Sequence, residues 1–121
     1  LSTLPDLLPE GLDALFIPIG RAAEENFASI IYYTDSINLP VIASHAPNVA
    51  AGALGALTAN HFRLGLACAA KAIAVFEGAS PADLPIEQAD EPDIILNSFC
   101  AENLGIEISD ELRNEAKEII D

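Results

Sequence analysis

The sequence predicts an α/β fold, a Rossmann-like parallel sheet flanked by helices, and three observations carry that expectation. Short, bounded apolar runs alternate along the chain with segments whose apolar residues recur at helical spacing. The runs are aliphatic and β-branched, the composition of strands buried on both faces. The connections are short and punctuated by Gly, Pro and Asn. Strand, helix, strand in that order implies crossover helices covering a parallel sheet.

Taken in order, Leu12 to Ile17 is a short apolar run ended by Pro18 and reads as a buried strand. A helix follows from Ala22, where Ala23, Phe27, Ile30 and Ile31 fall on one face, with Glu24 and Glu25 near the positive end of its dipole. Asn38 to Pro40 closes it. Val41 to Ser44 is a second strand of the fully buried kind, stopped soon afterwards by Pro47. Ala53 to Thr58 is a third, whose Ala and Gly content predicts close packing against a neighbour.

Phe62, Leu66, Ala69, Ala70, Ile73 and Phe76 then form one helical stripe, and Gly78 supplies the left-handed residue that commonly ends a helix. Ala79 to Pro92, rich in proline and acids, is a solvated connection. Ile94 to Leu96 makes a short strand, and a brief helix runs from about Ser98 to Gly105. The last predicted element is a helix capped by Ser109, with Asp110 and Glu111 in its first turn and Leu112, Ala116 and Ile119 on its buried face.

Composition narrows the function classes. Of 121 residues, 51% are hydrophobic and 20% charged, which describes a folding chain of at most one compact domain's size. The formal net charge is −14, with only five basic residues, so no basic stripe can neutralise a run of phosphates and nucleic acid is excluded as a partner. The longest apolar stretch, Leu64 to Phe76, is broken by Lys71 and falls short of the roughly 20 residues that span a bilayer. Cys68 and Cys100 sit among apolar residues and read as small buried hydrophobes. The chain opens on Leu1 and contains no methionine, as expected of a mature product or an excised piece.

No catalytic set emerges. His45 and His61 lie sixteen positions apart without a zinc-type cysteine pattern. No Gly-x-Ser-x-Gly elbow and no Gly-Lys-Ser or Gly-Lys-Thr phosphate loop is present. The carboxylates Glu10 and Asp13 precede a strand, at the end opposite the expected cleft. The chain is therefore expected to be no enzyme, with no metal and no cofactor.

In open α/β sheets small ligands bind beyond the carboxyl ends of the strands, where helix N-termini offer free backbone N–H groups. That rule selects Pro18 to Arg21, Ser44 to Asn48, and Thr58 to His61. Arg21 follows a strand, where its guanidinium can clamp a carboxylate or phosphate, or instead pair with Glu24 or Glu25, the better match in so acidic a chain. His45 is either a donor to a polar ligand, a stacking surface, or an exposed loop histidine. Asn60 suits recognition of a small polar solute and equally suits the N-cap of the next helix. His61 would lie in that helix's first turn, a solvated position.

The segments "LDALFIPIGRAAEENFASII", "NLPVIASH", "GALGALTANHFRLG", "FEGASPADLPIE" and "ILNSFCAENLGIEISDELRNEAKEII" resemble, in this order, the C-terminal part of ABC transporter substrate-binding proteins of the TrpX-like group. The most specific are the Gly78 to Pro85 turn and the "NLGIEISDEL" ending. The resemblance implies a type I periplasmic-binding-protein fold, two Rossmann-like lobes with a small polar solute such as an amino acid held between them. On it, residues 12–48 and 86–121 belong to the second lobe, residues 52–80 return to the first, and the N-terminal lobe lies outside this sequence.

The resemblance further implies an extracytoplasmic, periplasmic or membrane-anchored protein that delivers solute to an ABC permease. The candidate cleft residues are Gly20, Arg21, Ser44, His45, Asn60 and His61. The pattern departs from the family at Ile19 to Arg21, where Thr-Asp-Asn is usual, at His45, where an acid is usual, and at Asn60, where aspartate is usual. These departures point to a different, more acidic solute, or to a ligand-sensing or protein-interaction module of the same fold. Sheet edges covered in the parent would be open in the segment alone, so a strand-exchanged dimer is expected of it.

Overall fold

The structure, a computed structural model, describes residues 8, 11–88 and 91–121, and divides into two compact units. The first comprises the chain up to Thr58 together with Asp93–Asp121, and the second is Ala59–Pro92.

In the first unit, five strands form one sheet in the order β1 (Leu15–Ile17), β2 (Val41–Ala43), β3 (Gly55–Thr58), β4 (Asp93–Asn97) and β5 (Glu118–Ile120). β1 pairs parallel with β2 and β2 with β3, as predicted. β4 runs antiparallel to β3, with Thr58 opposite Asp93 and Gly55 opposite Leu96, and β5 runs parallel to β4. The sheet is thus mixed, because β4 follows an excursion that leaves and re-enters the unit at the same end of the sheet.

Two helices cover the core. α1 (Arg21–Ser36) buries Phe27, Ile30, Ile31 and Thr34, the stripe its spacing predicts. α2 (Ala46–Ala50) is a short helix that the sequence reading missed. Pro47 does more than stop the strand: it occupies the first turn of a helix, where its missing N–H costs nothing. Phe27, Ile30 and Ile31 meet Ile17, Val41, Ala43, Val49, Ala53, Ala56 and Ile95 in the main cluster.

Small residues in this cluster are required by backbone proximity. Gly52 has φ +117°, and a Cβ there would lie 2.8 Å from Cγ2 of Ile31. At Gly55 a Cβ would stand 3.0 Å from the carbonyl of Ile95 on the neighbouring strand, which explains the weak strand composition of β3.

The C-terminal part builds a second, smaller cluster of Leu96, Ala101 and Ile108. α4, here the helix next in chain order after the second unit's α3 (His61–Phe76), spans Ser98–Leu104 and ends on left-handed Gly105. Asn97 ties it down. Its amide donates to the Val49 carbonyl at 2.9 Å and its side-chain oxygen accepts from the Cys100 N–H at 2.8 Å.

The last predicted helix is shorter than expected: α5 spans Asp110–Glu115 and stops at Ala116, whose φ and ψ are extended. Glu118–Ile120 forms β5 instead, so Ile119 is a strand residue. Pairing with Ile95–Asn97 satisfies three residues' backbone groups against an open sheet edge, which a further helical turn could not do. Likewise β1 begins at Leu15, later than the expected Leu12, because it is paired only where β2 runs beside it.

The second unit contains α3, a 3-10 turn at Pro81–Asp83 and the connection to β4. The Asn60 side chain caps α3 by accepting from the Arg63 N–H at 2.9 Å, and Gly78 ends the following turn with φ +105°. The predicted apolar stripe is present but not buried. No residue of α3 is buried, with Phe62 76% and Phe76 89% exposed. The unit holds no sheet to cover that face. Cys68 on this helix is exposed too, contrary to the expectation from its neighbours, whereas Cys100 is buried.

The strand pairings set where the first unit is left and re-entered. β3 lies in the sheet with β2, so the chain leaves the first unit after Thr58 and returns at Asp93.

Candidate ligand-binding site

The carboxyl ends of β1, β2 and β3 lie at one end of the sheet, because the three strands are parallel. The loop after β1 carries Ile19 and Gly20, and the loop after β2 carries Ser44 and His45. Ser44 joins them: its Oγ accepts a hydrogen bond from the Ile19 N–H at 2.6 Å. Gly20 is the N-cap of α1 with extended backbone, φ 177°, and offers no side chain to the helix. The first turn of α1 is therefore left to interact with whatever lies beyond the strand ends.

His45 is not a bare loop histidine. Its Nδ1 lies 3.1 Å from Oε2 of Glu24, in the first turn of α1. Oε1 of the same carboxylate accepts from Nδ2 of Asn48 at 3.1 Å. Both Glu24 and His45 keep about a third of their side-chain surface exposed, while Asn48 is buried. The hydrogen bond with His45 holds the Glu24 carboxyl below the usual carboxylate range, helped by Asn48 and the charge of His45 and opposed by desolvation. Glu24 is consequently an ionised acceptor joining the first turns of two helices.

Arg21 takes the surface alternative. Its Nε donates to Oε1 of Glu25 at 2.7 Å, one helical turn on, and its side chain is 90% exposed. Asn60 and His61 belong to the second unit, Asn60 as the cap of α3 and His61 as an exposed residue of its first turn. Glu24 and Asn48 were not singled out from sequence as site residues. The sequence suggests Glu24 for the positive end of a helix dipole and as a surface partner of Arg21, and nothing in a linear sequence links it to His45.

Among the described residues, no group of His, Cys, Asp and Glu could hold a metal ion, and no helix is long and apolar enough to cross a membrane. Within the second unit a groove of about 400 Å³ runs between α3 and Glu87, Gln88 and Glu91. Its cations are already matched: Arg63 pairs with Glu91, and Lys71 pairs with Glu87 at 3.3 Å and donates to the Pro85 carbonyl. Burial, with the nearby Asp35 charge, pushes the Cys100 thiol up, so it stays protonated and faces the Gly52 carbonyl at 3.4 Å.

Comparison with known proteins agrees with this architecture. Residues 3–120 match the family model of ABC transporter substrate binding proteins. A curated relative, the tyrosine-binding protein of Clostridioides difficile, is 28% identical over 116 residues, covering 88% of this chain and 34% of its own length. The crystal structure of an ABC domain in complex with L-Trp from Streptococcus pneumonia superposes with a TM-score of 0.76 at 27% identity, over 91% of this chain and 37% of that one. A conserved domain protein of Vibrio cholerae shares the fold alone, at 24% identity and a TM-score of 0.74, with 88% and 36% of the two chains covered. The chain thus spans about a third of the length of these relatives.

Proposed function

As a member of the family of ABC transporter substrate binding proteins, this chain has the fold of a solute receptor, and we propose that it supplies one part of a two-lobed extracytoplasmic receptor that captures an amino acid or a related small polar solute. The observation that carries the reading is the convergence at one end of the sheet. The loops bearing Gly20, Ser44 and His45 lie there, and Thr58 and Asp93, through which the chain leaves and re-enters the unit, sit opposite each other on β3 and β4. A second lobe closing on a solute at the strand ends would bury it.

The relatives favour an amino-acid solute, since one is named for tyrosine and another was solved with L-Trp. Binding by hydrogen bonds and closure is the whole chemistry of this reading, with no catalysis and no cofactor. Delivery to an ABC permease follows from differential recognition of the closed form. The candidate contacts in the first unit are Gly20, Ser44 and His45, with Arg21 paired to Glu25; Asn60 and His61 are candidates on the second unit, taken by itself.

The exposed apolar stripe of α3 fits the same reading, since the remaining two thirds of a relative's length would supply the lobe that covers it. In the segment alone the open sheet edges would pair by strand exchange between two copies, and a dimeric mass in sedimentation at high concentration is the expected result. A monomeric mass would sink the dimer.

The test of function is a thermal unfolding scan of the full-length polypeptide with L-tyrosine, L-tryptophan, other amino acids, dicarboxylates and small sugars. A ligand at about one hundred times its dissociation constant adds roughly 2.7 kcal/mol to the native state, a visible rise in midpoint. A selective rise names the solute class. A flat response across the panel removes solute capture and leaves the sensing or interaction module.

A further inference from the structure

Glu24 does more at the strand ends than pair with a neighbour, because the identity of its contacts decides which atom His45 presents to a solute. An ionised carboxylate can only accept, so the hydrogen shared at 3.1 Å must sit on Nδ1 of His45. A neutral imidazole has one N–H, and its Nε2 is then an acceptor. The carboxylate has a second anchor, since its other oxygen accepts from the amide of Asn48, which is only 4% exposed. Among the described residues nothing partners Nε2, and the ring keeps 30% of its surface open.

We propose that Glu24 is a positioning residue that locks His45 in the Nδ1–H tautomer, so that Nε2 accepts a hydrogen bond from an N–H donor on the solute, its ammonium group or another. This rests on the reading of the strand ends as a solute site. It adds the polarity of one subsite: Nε2 welcomes a donor and turns away a carboxylate, whose lone pairs would face its own. Asn48 is the second positioning residue, acting through Glu24.

The logic singles out Glu24→Gln. The buried Asn48 amide still needs an acceptor, so the glutamine oxygen faces Asn48 and its NH₂ faces His45. Nδ1 must then accept, and the hydrogen moves to Nε2. The variant keeps size and packing while inverting the tautomer.

The chain has two histidines, and His61 on the other unit serves as the internal reference. In ¹⁵N-histidine-labelled chain at pH 8.5, long-range ¹H–¹⁵N correlation spectra should show His45 as the Nδ1–H tautomer and E24Q as the Nε2–H tautomer, with His61 unmoved. E24A serves as the second variant and should also lose the Nδ1–H form. An Nε2–H ring in the unsubstituted chain, or a His45 tautomer that ignores both variants, overturns the proposal.

The full-length polypeptide is then titrated with L-tyrosine and with 3-(4-hydroxyphenyl)propionate, which lacks the ammonium group. A preference for L-tyrosine that falls at least tenfold in E24Q is expected, and a preference the substitution leaves unchanged overturns the donor assignment. If neither compound nor any other amino acid binds, the solute reading fails and takes the subsite with it, while the tautomer spectra still judge the lock itself.

Discussion

Phe27→Ala is expected to lower the unfolding free energy of the chain by about 3–5 kcal/mol, the range for truncating a buried aromatic side chain. The value falls at the upper part of that range for a structural reason. Phe27 is 4% exposed and is the one aromatic ring in a cluster that otherwise holds aliphatic residues, three of them alanines. Ala43, Ala53 and Ala56 are short and lie on the sheet or against it, so none can extend into the space the ring leaves. The void stays open and its cost stays unrelieved. Small domains are stable by about 5–15 kcal/mol, so the variant sits close to unfolding at room temperature. Urea denaturation with an unchanged slope and a lowered midpoint would check it. A loss below about 1 kcal/mol would show that α1 is not seated on the sheet as described.

The matching control is Phe62→Ala on α3, expected to change stability of the isolated segment by no more than about 0.5 kcal/mol because that ring is 76% exposed. The two phenylalanines look alike in sequence. Each belongs to an apolar stripe at helical spacing, and periodicity reports a face without reporting what covers it. For α1 the covering sheet is made by β1, β2 and β3. For α3 it is absent from the unit that carries the helix. The same limit explains Cys68, whose apolar neighbours suggested burial that the unit cannot supply.

Where local signals and tertiary pairing agreed, the elements were legible. The α1 stripe, the Ser109 cap on Leu112 at 3.2 Å and the Gly105 stop are properties of a few neighbouring residues, and each appears as the sequence suggests. β5 was not legible. Glu118–Ile120 has too few residues to show alternation and follows a good helix start, so only the open edge of β4 makes it a strand. The antiparallel turn of β4 was hidden for a related reason. Crossover logic assumes that a chain stays with its sheet, and here it departs at Thr58 and comes back at Asp93. At the strand ends, sequence reasoning names Ser44 and His45 as candidates but not the contacts they make. Ile19 and Ser44 are twenty-five positions apart, and Glu24 and His45 twenty-one. Only the parallel register of β1 and β2 brings their loops together.

His45→Ala in the full-length polypeptide is expected to weaken binding of L-tyrosine, or of the best ligand in the panel, by about 10- to 100-fold. The estimate follows from a hydrogen bond to a charged group, about 1.5–3 kcal/mol, with each 1.4 kcal/mol worth a factor of ten. Folding should be nearly untouched, because the ring is 30% exposed and its loss leaves Glu24 bonded to Asn48 with water free to reach the other oxygen. That separation makes the experiment decisive. A mutation that lowered affinity by loosening the unit would lower the unfolding midpoint as well, whereas removal of a contact at the strand ends lowers affinity alone. Calorimetric titration beside a melting curve reads both. Unchanged affinity would take His45 out of the site, and the backbone N–H groups at the start of α1 would then be the first unit's remaining candidates for holding the solute. Weakened affinity with an unchanged midpoint would place the solute against the imidazole that Glu24 orients.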